Sequence, residues 1–206
     1  IHVNNKLITN KFNKVNNSYF NTFGNQQNLL FIFAISKILK LNKSKIFKII
    51  NNFKGLKFRQ QIIFNSKKIT IINDSKSTSY SSSINILRSL NNVYWIIGGI
   101  PKSGDTFSML KNECKNFKAY IFGNNKNIFI NQLKRKLKYE NFNNLEKALK
   151  KIIFDLNLIK KINKNITILF SPSAASFDNY KNFEDRGKKF NFLIKKLRFK
   201  KIINAK

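Results

Sequence analysis

An α/β fold with a mostly parallel sheet is predicted from three features of this 206-residue sequence. Short apolar runs that suit buried strands alternate with longer stretches whose apolar residues recur at helical spacing. Strands and helices that alternate in this way form βαβ units, with helices on both faces of a parallel sheet. Hydrophobic residues make up 42% of the chain, which is enough to build a core.

The first quarter of the chain is predicted to be a separate, helical region. Residues 1–23 are polar and weakly alternating, which fits a short hairpin. Residues 29–39 are predicted to form a buried helix. Residues 44–53 are predicted to form a second helix, capped by Ser44 and stopped by Gly55. The change of pattern that follows predicts two domains, residues 1–57 and residues 58–206.

The second region carries the strand and helix alternation. Strands are predicted at residues 61–64 and 68–72, as a hairpin, and at residues 93–97, 117–122 and 166–170. Helices are predicted at residues 81–90, 107–114, 128–137, 145–158 and 180–197. The Lys- and Asn-rich tail after Arg198 is expected to fray.

The net charge of +31 raises the question of a nucleic-acid or membrane partner. Of the 40 basic residues, 35 are Lys, whereas Arg is the preferred reader of phosphate and guanine. The Lys residues are scattered along the chain, with no dense basic tail. The composition therefore fits general basicity better than specific nucleic-acid recognition. The apolar run of residues 29–35 is too short for a membrane span, which needs about 20 residues.

Cysteine and histidine usage narrows the possible chemistry. Cys114 is the only cysteine, so the chain has no internal disulfide, which fits a cytoplasmic protein. We expect Cys114 to be a small, partly buried residue rather than a nucleophile. His2 is the only histidine, which argues against a Cys/His metal cluster and a Ser-His triad. The chain starts at Ile1 rather than Met, which suggests a start inside a longer protein.

Four polar clusters each follow a predicted strand. They are residues 73–78, residues 98–104, residues 123–125 and residues 171–176. Because the carboxyl ends of parallel strands lie on one edge of a sheet, these clusters are predicted to meet at one crevice, where open α/β sheets bind ligands.

Within these clusters, spacing alone leaves the role of each residue open. Asp74 could accept hydrogen bonds from ribose hydroxyls or hold a turn. Lys102, in a Gly-rich turn, suits a carboxylate or phosphate, although it and Lys76 could equally be solvated charges. Thr78 and Ser176 could bind anions at helix starts or simply cap those helices. The sequence contains neither the dinucleotide fingerprint nor a GxxxxGK[ST] phosphate loop.

Five segments, in matching order and spacing, resemble motifs of the Mur ligase family, and specifically of its D-glutamate-adding members. Residues 24–28 resemble H-N-x-x-N, residues 53–59 resemble F-x-G-L-P-H-R, and residues 73–78 resemble N-D-S-K-A-T. Residues 98–102 resemble G-G-x-x-K, and residues 171–187 resemble S-P-x-x-A-S-x-D-x-[FY]-K-N-F-E-x-R-G.

The chain departs from these motifs at a few positions. Phe58 and Lys57 replace the His and Pro of P-H-R, and Gly24 replaces the His of H-N. Ile100 stands where some members have an acidic residue. Any polar role of the His side chain is lost at Phe58.

The resemblance implies a protein of three domains, of which this chain holds the end of a central ATPase domain and a Rossmann-like C-terminal domain. It implies ATP-dependent amide formation in peptidoglycan synthesis, by a cytoplasmic monomer. ATP would phosphorylate the terminal carboxylate of UDP-N-acetylmuramoyl-L-alanine, and the amine of D-glutamate would attack the acyl phosphate. The Mg²⁺ ligands and the phosphate loop would lie outside this sequence, and the chain alone would be inactive.

The resemblance also implies roles for individual residues. Contacts to the nucleotide would come from Asn25, Asn28, Arg59 and Asp74. Lys76 and Lys102 would take part in catalysis, Lys76 at the junction of nucleotide and amino acid. The D-glutamate pocket would be formed by Thr78, Lys102, Ser176, Phe177 and Phe183. Two alternatives are another superfamily member, such as folylpolyglutamate synthase, and a basic nucleic-acid-binding module.

Overall fold

The computed structural model describes residues 15–21, 23–159, 165–197 and 199. The chain divides into two compact units between Gly55 and Leu56. Most of the hairpin predicted for residues 1–23 lies outside the described residues, as does the tail from residue 200 onward. Within residues 1–23, the structure describes a 3₁₀ helix at Ser18–Asn21.

The first unit contains two helices, α1 (Phe23–Ile38) and α2 (Lys43–Asn52). Its small core consists of Phe20, Leu29 and Ile50. The side-chain amide of Asn17 donates to the carbonyls of Ile50 and Phe53, at 2.7 and 2.8 Å. These carbonyls, at the carboxyl end of α2, thereby gain a hydrogen-bond donor.

Two details predicted for this unit are wrong. The helix predicted at residues 29–39 is buried only on the side of Leu29, since Phe31 is 68% exposed and Ile38 is 76% exposed. A run that is apolar all round has no polar side to indicate which face packs, so the available packing partners decide. The cap of α2 is Asn42 rather than Ser44, because the Asn42 side chain accepts a hydrogen bond from the Lys45 amide.

The second unit is built on one six-stranded sheet with the order β1-β2-β6-β3-β4-β5. Its strands are β1 (Gln61–Asn65), β2 (Ile69–Asn73), β3 (Val93–Gly98), β4 (Phe117–Phe122), β5 (Lys138–Phe142) and β6 (Ile166–Phe170). The predicted hairpin is confirmed, because β1 pairs antiparallel with β2. All other pairs are parallel, which confirms the predicted fold class.

Four helices cover the two faces of this sheet. They are α3 (Tyr80–Leu87), α4 (Lys126–Leu133), α5 (Leu145–Leu158) and α6 (Phe183–Lys196). Helices α3 and α4 pack on one face, with Trp95 and Ile97 of β3, and α5 and α6 pack on the other, with Ile96. Successive β3 residues alternate between the faces because the side chains of a strand point to opposite sides.

Two predictions for the second unit are wrong. Residues 107–114 form no helix, because the segment is extended and then turns. Phe107 and Met109 are buried while Ser108 and Leu110 are exposed, which is the period of an extended chain. Strand β5 was missed because its sequence, KYENF, is polar and carries no apolar run; it lies at the edge of the sheet and is only half-buried.

Candidate functional site

The four polar clusters lie at the carboxyl ends of β2, β3, β4 and β6, on one edge of the sheet. Direct contacts join them. The Ser171 hydroxyl donates to Asp74 at 2.9 Å, and the amide of Gly98 donates to the carbonyl of Pro172 at 3.2 Å. The side chain of Asn125 donates to the carbonyl of Gly99 at 3.1 Å. The clusters therefore meet at one edge of the sheet, as the strand pattern predicts.

Asp74 is buried beneath this edge, with 6% of its surface exposed. Its Oδ1 accepts from the Gln60 amide at 3.1 Å, and its Oδ2 accepts from Ser171. Burial raises the pKa of the carboxyl to about 7, against the lowering effect of these hydrogen bonds and of the Arg59 and Arg186 charges. Asp74 thus links three segments of chain, and its contact with a ribose stays a prediction.

A chain of buried hydroxyls continues from Asp74 into the loops. Ser83, on the first turn of α3, lies at its centre. Its Oγ is 2.7 Å from those of Ser77 and Ser171 and 2.6 Å from that of Ser173. These serines come from the loops that follow β2 and β6, so Ser83 fixes the two loops to each other. All four side chains are used in the structure and are not available to a ligand.

Arg186 of α6 also holds the loops after β2 and β6 together, through a charged side chain. It is fully buried, and its Nε donates to the Ser75 hydroxyl at 3.1 Å. Its Nη2 donates to the Ser75 carbonyl at 2.8 Å, and its Nη1 donates to the Ala174 carbonyl at 2.9 Å. Burial lowers its pKa to about 10, which the negative charges of Asp178 and Asp74 oppose. A charged guanidinium therefore lies under the crevice.

The loop after β3 is held against the loop after β6 by a two-residue bridge. Ile100 and Ala175 exchange both backbone hydrogen bonds, each of 2.9 Å. Gly99 precedes the bridge at φ +130°, and a Cβ there would lie 2.3 Å from the carbonyl oxygen of Ala175. Only glycine permits this approach. Lys102 and Ser176 are consequently carried on adjoining segments.

Three of the predicted pocket residues keep their polar atoms available. Thr78 is half-buried, Ser176 is buried and Lys102 is exposed. Among the described residues, none of these three side chains has a hydrogen-bond or ion-pair partner. Neither hydroxyl caps a helix, because the cap of α3 is Ser79 and the cap of α6 is Asn182. Helix capping, which spacing left open, is thus not what these residues do.

Phe183 and Phe177 complete the predicted pocket, and Lys76, predicted at the junction of nucleotide and amino acid, lies against Phe183. The ammonium of Lys76 lies 3.9 Å from the centre of the Phe183 ring, a cation–π contact. The backbone carbonyl of Phe183 also accepts a hydrogen bond from the Ser75 hydroxyl at 2.8 Å, which joins the start of α6 to the loop after β2. Phe177 is 71% exposed and presents an apolar surface to solvent.

The residues expected to contact a nucleotide are divided between the two units. Asn25 and Asn28 lie on α1 of the first unit, where the Asn25 side chain donates to the Tyr19 carbonyl at 2.7 Å. Arg59 lies in the second unit and is exposed. Asp74 also belongs to the second unit, and the joint contact of these four residues with a nucleotide stays a prediction.

The described residues do not fit a Mg²⁺ site of their own. Nowhere in residues 15–21, 23–159, 165–197 and 199 do three or more His, Cys, Asp or Glu side chains come together as a metal would require. Burial and the neighbouring Glu113 raise the pKa of Cys114 to about 11, as expected of an unreactive thiol. In the same ranges, no helix has the length and apolar character needed to cross a membrane.

Sequence reasoning missed Ser83 and Arg186 as parts of this site. Ser83 stands among many Ser residues, and nothing in its spacing distinguishes it from its exposed neighbours Ser81 and Ser82. Arg186 could have been noticed, because it is one of only five Arg residues and lies within the segment that resembles the longest family motif.

Comparison with known proteins yields clear relatives. The chain is 35% identical over 178 residues to the UDP-N-acetylmuramoylalanine–D-glutamate ligase of Wolbachia from Brugia malayi, an alignment covering 86% of this chain and 35% of that protein. It is 32% identical to the ligase of that name from Rickettsia bellii, covering 92% of this chain and 40% of that protein. No protein-family model matches the chain.

A solved structure shares the fold. UDP-N-acetylmuramate–alanine ligase MurC from Thermotoga maritima superimposes with a TM-score of 0.51 at 13% identity, over 85% of this chain and 38% of that one. The chain spans between a third and two fifths of the length of these relatives. It is thus related to the UDP-N-acetylmuramoylalanine–D-glutamate ligases of the Mur ligase family, over a stretch consistent with their C-terminal portion.

Proposed function

We propose that this chain is the D-glutamate-binding part of an ATP-dependent ligase that joins D-glutamate to UDP-N-acetylmuramoyl-L-alanine through an acyl phosphate. One observation carries the proposal. Thr78, Lys102 and Ser176, which the family motifs assign to D-glutamate, all have side chains without a partner among the described residues, as do Ser103 and Asn124 in the same clusters. Their serine neighbours Ser83 and Ser171 are fully engaged.

The chemistry of the crevice fits an amino acid with two carboxylates. Lys102 offers an ammonium in a Gly-rich turn, and Thr78 and Ser176 offer hydroxyl donors, all of which suit carboxylate oxygens. The buried charge of Arg186 adds a positive potential beneath them. Oδ1 of Asp178, in the loop after β6, is buried with no partner among the described residues. We propose that it accepts a hydrogen bond from the substrate amine.

We further propose that residues 1–57 belong to the central ATPase domain of such a ligase and residues 58–206 to its C-terminal domain. ATP would supply the phosphoryl group that activates the carboxylate. Asn25, Asn28, Arg59 and Asp74 are proposed to contact the nucleotide, and Lys76 to lie where nucleotide and amino acid meet. The Mg²⁺ ligands are proposed to come from outside this sequence. We propose a cytoplasmic monomer, in keeping with a single, buried cysteine.

The test is a titration of D-glutamate into the isotope-labelled chain, followed by amide chemical shifts in NMR spectra. We expect shifts at Thr78, Lys102 and Ser176, and much smaller ones with L-glutamate. Lys102→Ala should weaken binding at least tenfold, since it removes a charged contact to a carboxylate. Lys188→Ala, which removes an exposed lysine from α6, is the matched control and should bind normally. Equal binding by both variants would remove Lys102 from the site.

An amino-acid panel on the full-length protein separates this function from the alternative. A folylpolyglutamate synthase-like enzyme shares the fold but uses L-glutamate. Release of phosphate that depends on D-glutamate and UDP-N-acetylmuramoyl-L-alanine supports the proposal. Activity with L-glutamate or a diamino acid instead would assign the chain to another branch of the superfamily.

A further inference from the structure

An open cleft of about 1170 Å³ lies at the opposite edge of the sheet from the candidate site. It is lined by the turn that leads into β4 and by the turn that leads into β5. Since β4 and β5 are parallel neighbours, their amino ends adjoin, and the two turns form the walls of one groove. No residue of the proposed D-glutamate pocket takes part in it.

Basic side chains are concentrated in this cleft. Seven of its 13 lining residues are Lys or Arg, against 40 of 206 in the whole chain. They are Lys111, Lys115, Lys118, Lys134, Arg135, Lys136 and Lys138. The proportion is nearly three times that of the sequence as a whole. Four of the seven come from the basic run at residues 134–138, and the fold places beside them three more from the turn and the strand at residues 111–118.

Most of these charges have no partner within the protein. Lys118 pairs with Glu140, the only acidic residue of the lining. Lys134 donates to Asn131, and Lys136 donates to the Phe107 carbonyl. Among the described residues, Lys111, Lys115, Arg135 and Lys138 have neither a hydrogen-bond nor an ion-pair partner for their side chains, and all four are exposed.

The composition of the cleft indicates what it would bind. Neighbouring like charges repel one another, and a ligand with several regularly spaced negative charges relieves that repulsion. Lysine binds phosphate as a point charge. The side chain of Tyr139 packs partly against the core and also lines the cleft, where its exposed part offers a surface on which a base can stack. We propose that this cleft binds the phosphate backbone of single-stranded nucleic acid, without sequence preference.

The test compares two variants that each lose two positive charges. Lys115→Gln with Arg135→Gln changes the cleft, and Lys45→Gln with Lys48→Gln changes exposed positions of the first unit. Binding of a fluorescent oligoribonucleotide of about 12 nucleotides is followed by anisotropy from about 50 to 200 mM salt. For the cleft variant we expect about tenfold weaker binding, and a plot of log K against log salt about 1.4 less steep, since each lost contact removes about 0.7. The control variant should keep the slope of the parent.

Equal losses in both variants would show a diffuse attraction to the whole surface and would overturn the proposal. Competition then identifies the ligand chemistry. Unlabelled RNA of unrelated sequence should displace the probe, whereas polyglutamate of equal charge should not; displacement by polyglutamate to the same extent would overturn the phosphate assignment. Displacement by inorganic polyphosphate as effective as RNA would leave no role for Tyr139 and would overturn the assignment to nucleic acid. Lys111→Gln with Lys138→Gln repeats the test if the first cleft variant fails to fold.

Discussion

At the scale of single residues, the carboxyl edge of the sheet contains two kinds of polar side chain. Asp74, Ser83 and Arg186 are buried, and their hydrogen bonds join the loops that follow β2 and β6. Thr78, Lys102 and Ser176 lie beside them and bind nothing among the described residues. The first group fixes the positions from which the second can act on a ligand. Burial and partners, rather than residue type, make the distinction.

The pKa of Asp74 leads to a prediction about stability. The pKa of about 7 in the folded protein exceeds the value of about 3.9 expected in the unfolded chain, so the folded state binds this proton more tightly. Stability from this group is present below about pH 4 and is lost as the pH rises through 7. Asp74→Asn cannot ionise. Its free energy of unfolding relative to the parent should therefore increase from pH 4 to pH 8, by up to about 4 kcal/mol.

Urea unfolding of the two proteins at several pH values measures this difference. A difference that does not change with pH would mean that the carboxyl titrates near its ordinary value.

Arg186 provides a second prediction at this scale. Arg186→Met should lower the free energy of unfolding by about 3 kcal/mol or more, because the buried carbonyls of Ser75 and Ala174 lose their donor. Lys188→Met, on the exposed side of the same helix, should change it by less than about 0.5 kcal/mol. Denaturant unfolding measures both. A Met variant as stable as its parent would show that the cost of burying the guanidinium equals the value of its hydrogen bonds.

At the scale of elements, α6 is fixed by its cap and by one close contact. Asn182 caps it by accepting from the Asp185 amide at 2.8 Å. Further along, the backbone of Gly187 packs directly against the buried ring of Phe58. Phe58 replaces a polar family residue, and its ring now serves to pack the segment before β1 against α6. The departure from the motif is thus compensated by an apolar contact.

The contact of Phe58 with Gly187 predicts the effect of adding one methyl group. The Cβ of Gly187→Ala would lie 2.4 Å from Cδ1 of Phe58. We expect a loss of about 1–3 kcal/mol from the clash, although alanine is about 1 kcal/mol better than glycine in a helix. In a Phe58→Ala background the same substitution should become neutral or stabilising. Additive effects in this double-mutant cycle, measured by thermal unfolding, would contradict the contact.

The elements also show what local pattern predicts well. The apolar runs at residues 93–97, 117–122 and 166–170 are strands as predicted, and α5 has the predicted bounds at Leu145–Leu158. Strand β5 could not be found in this way, because an edge strand needs few apolar residues and is defined by its pairing with β4. Residues 107–114 were predicted as a helix, but no helix forms there. Phe107 and Met109 reach the core from an extended segment, so their burial has a period of two.

At the scale of the whole molecule, the two proposed binding regions lie at opposite ends of the strands of the sheet. The carboxyl edge carries the proposed D-glutamate crevice, and the amino ends of β4 and β5 carry the basic cleft. The two regions can be altered independently, because they share no residue. Variants of the cleft should leave the D-glutamate titration unchanged.

The activity of the chain by itself is a prediction at this scale. No GxxxxGK[ST] loop occurs in the sequence, and the described residues offer no metal cluster. We therefore expect no phosphate release from ATP by the chain alone, with UDP-N-acetylmuramoyl-L-alanine and D-glutamate present, in a colourimetric assay. Turnover by the purified chain that Lys102→Ala abolishes would contradict this expectation.

The sequence by itself determined the fold class, most strands and the edge at which the polar clusters meet, because the apolar period and the alternation of strands and helices are local patterns. Its motifs also pointed to the Mur ligases, which the relatives bear out over most of the chain. Only the tertiary structure decided that Ser83 and Arg186 hold the loops while Thr78, Lys102 and Ser176 remain available. It also brought the lysines at residues 111–118 beside the basic run at residues 134–138 to form one cleft. Each of these depends on which residues meet across distant parts of the chain, and no local pattern records that.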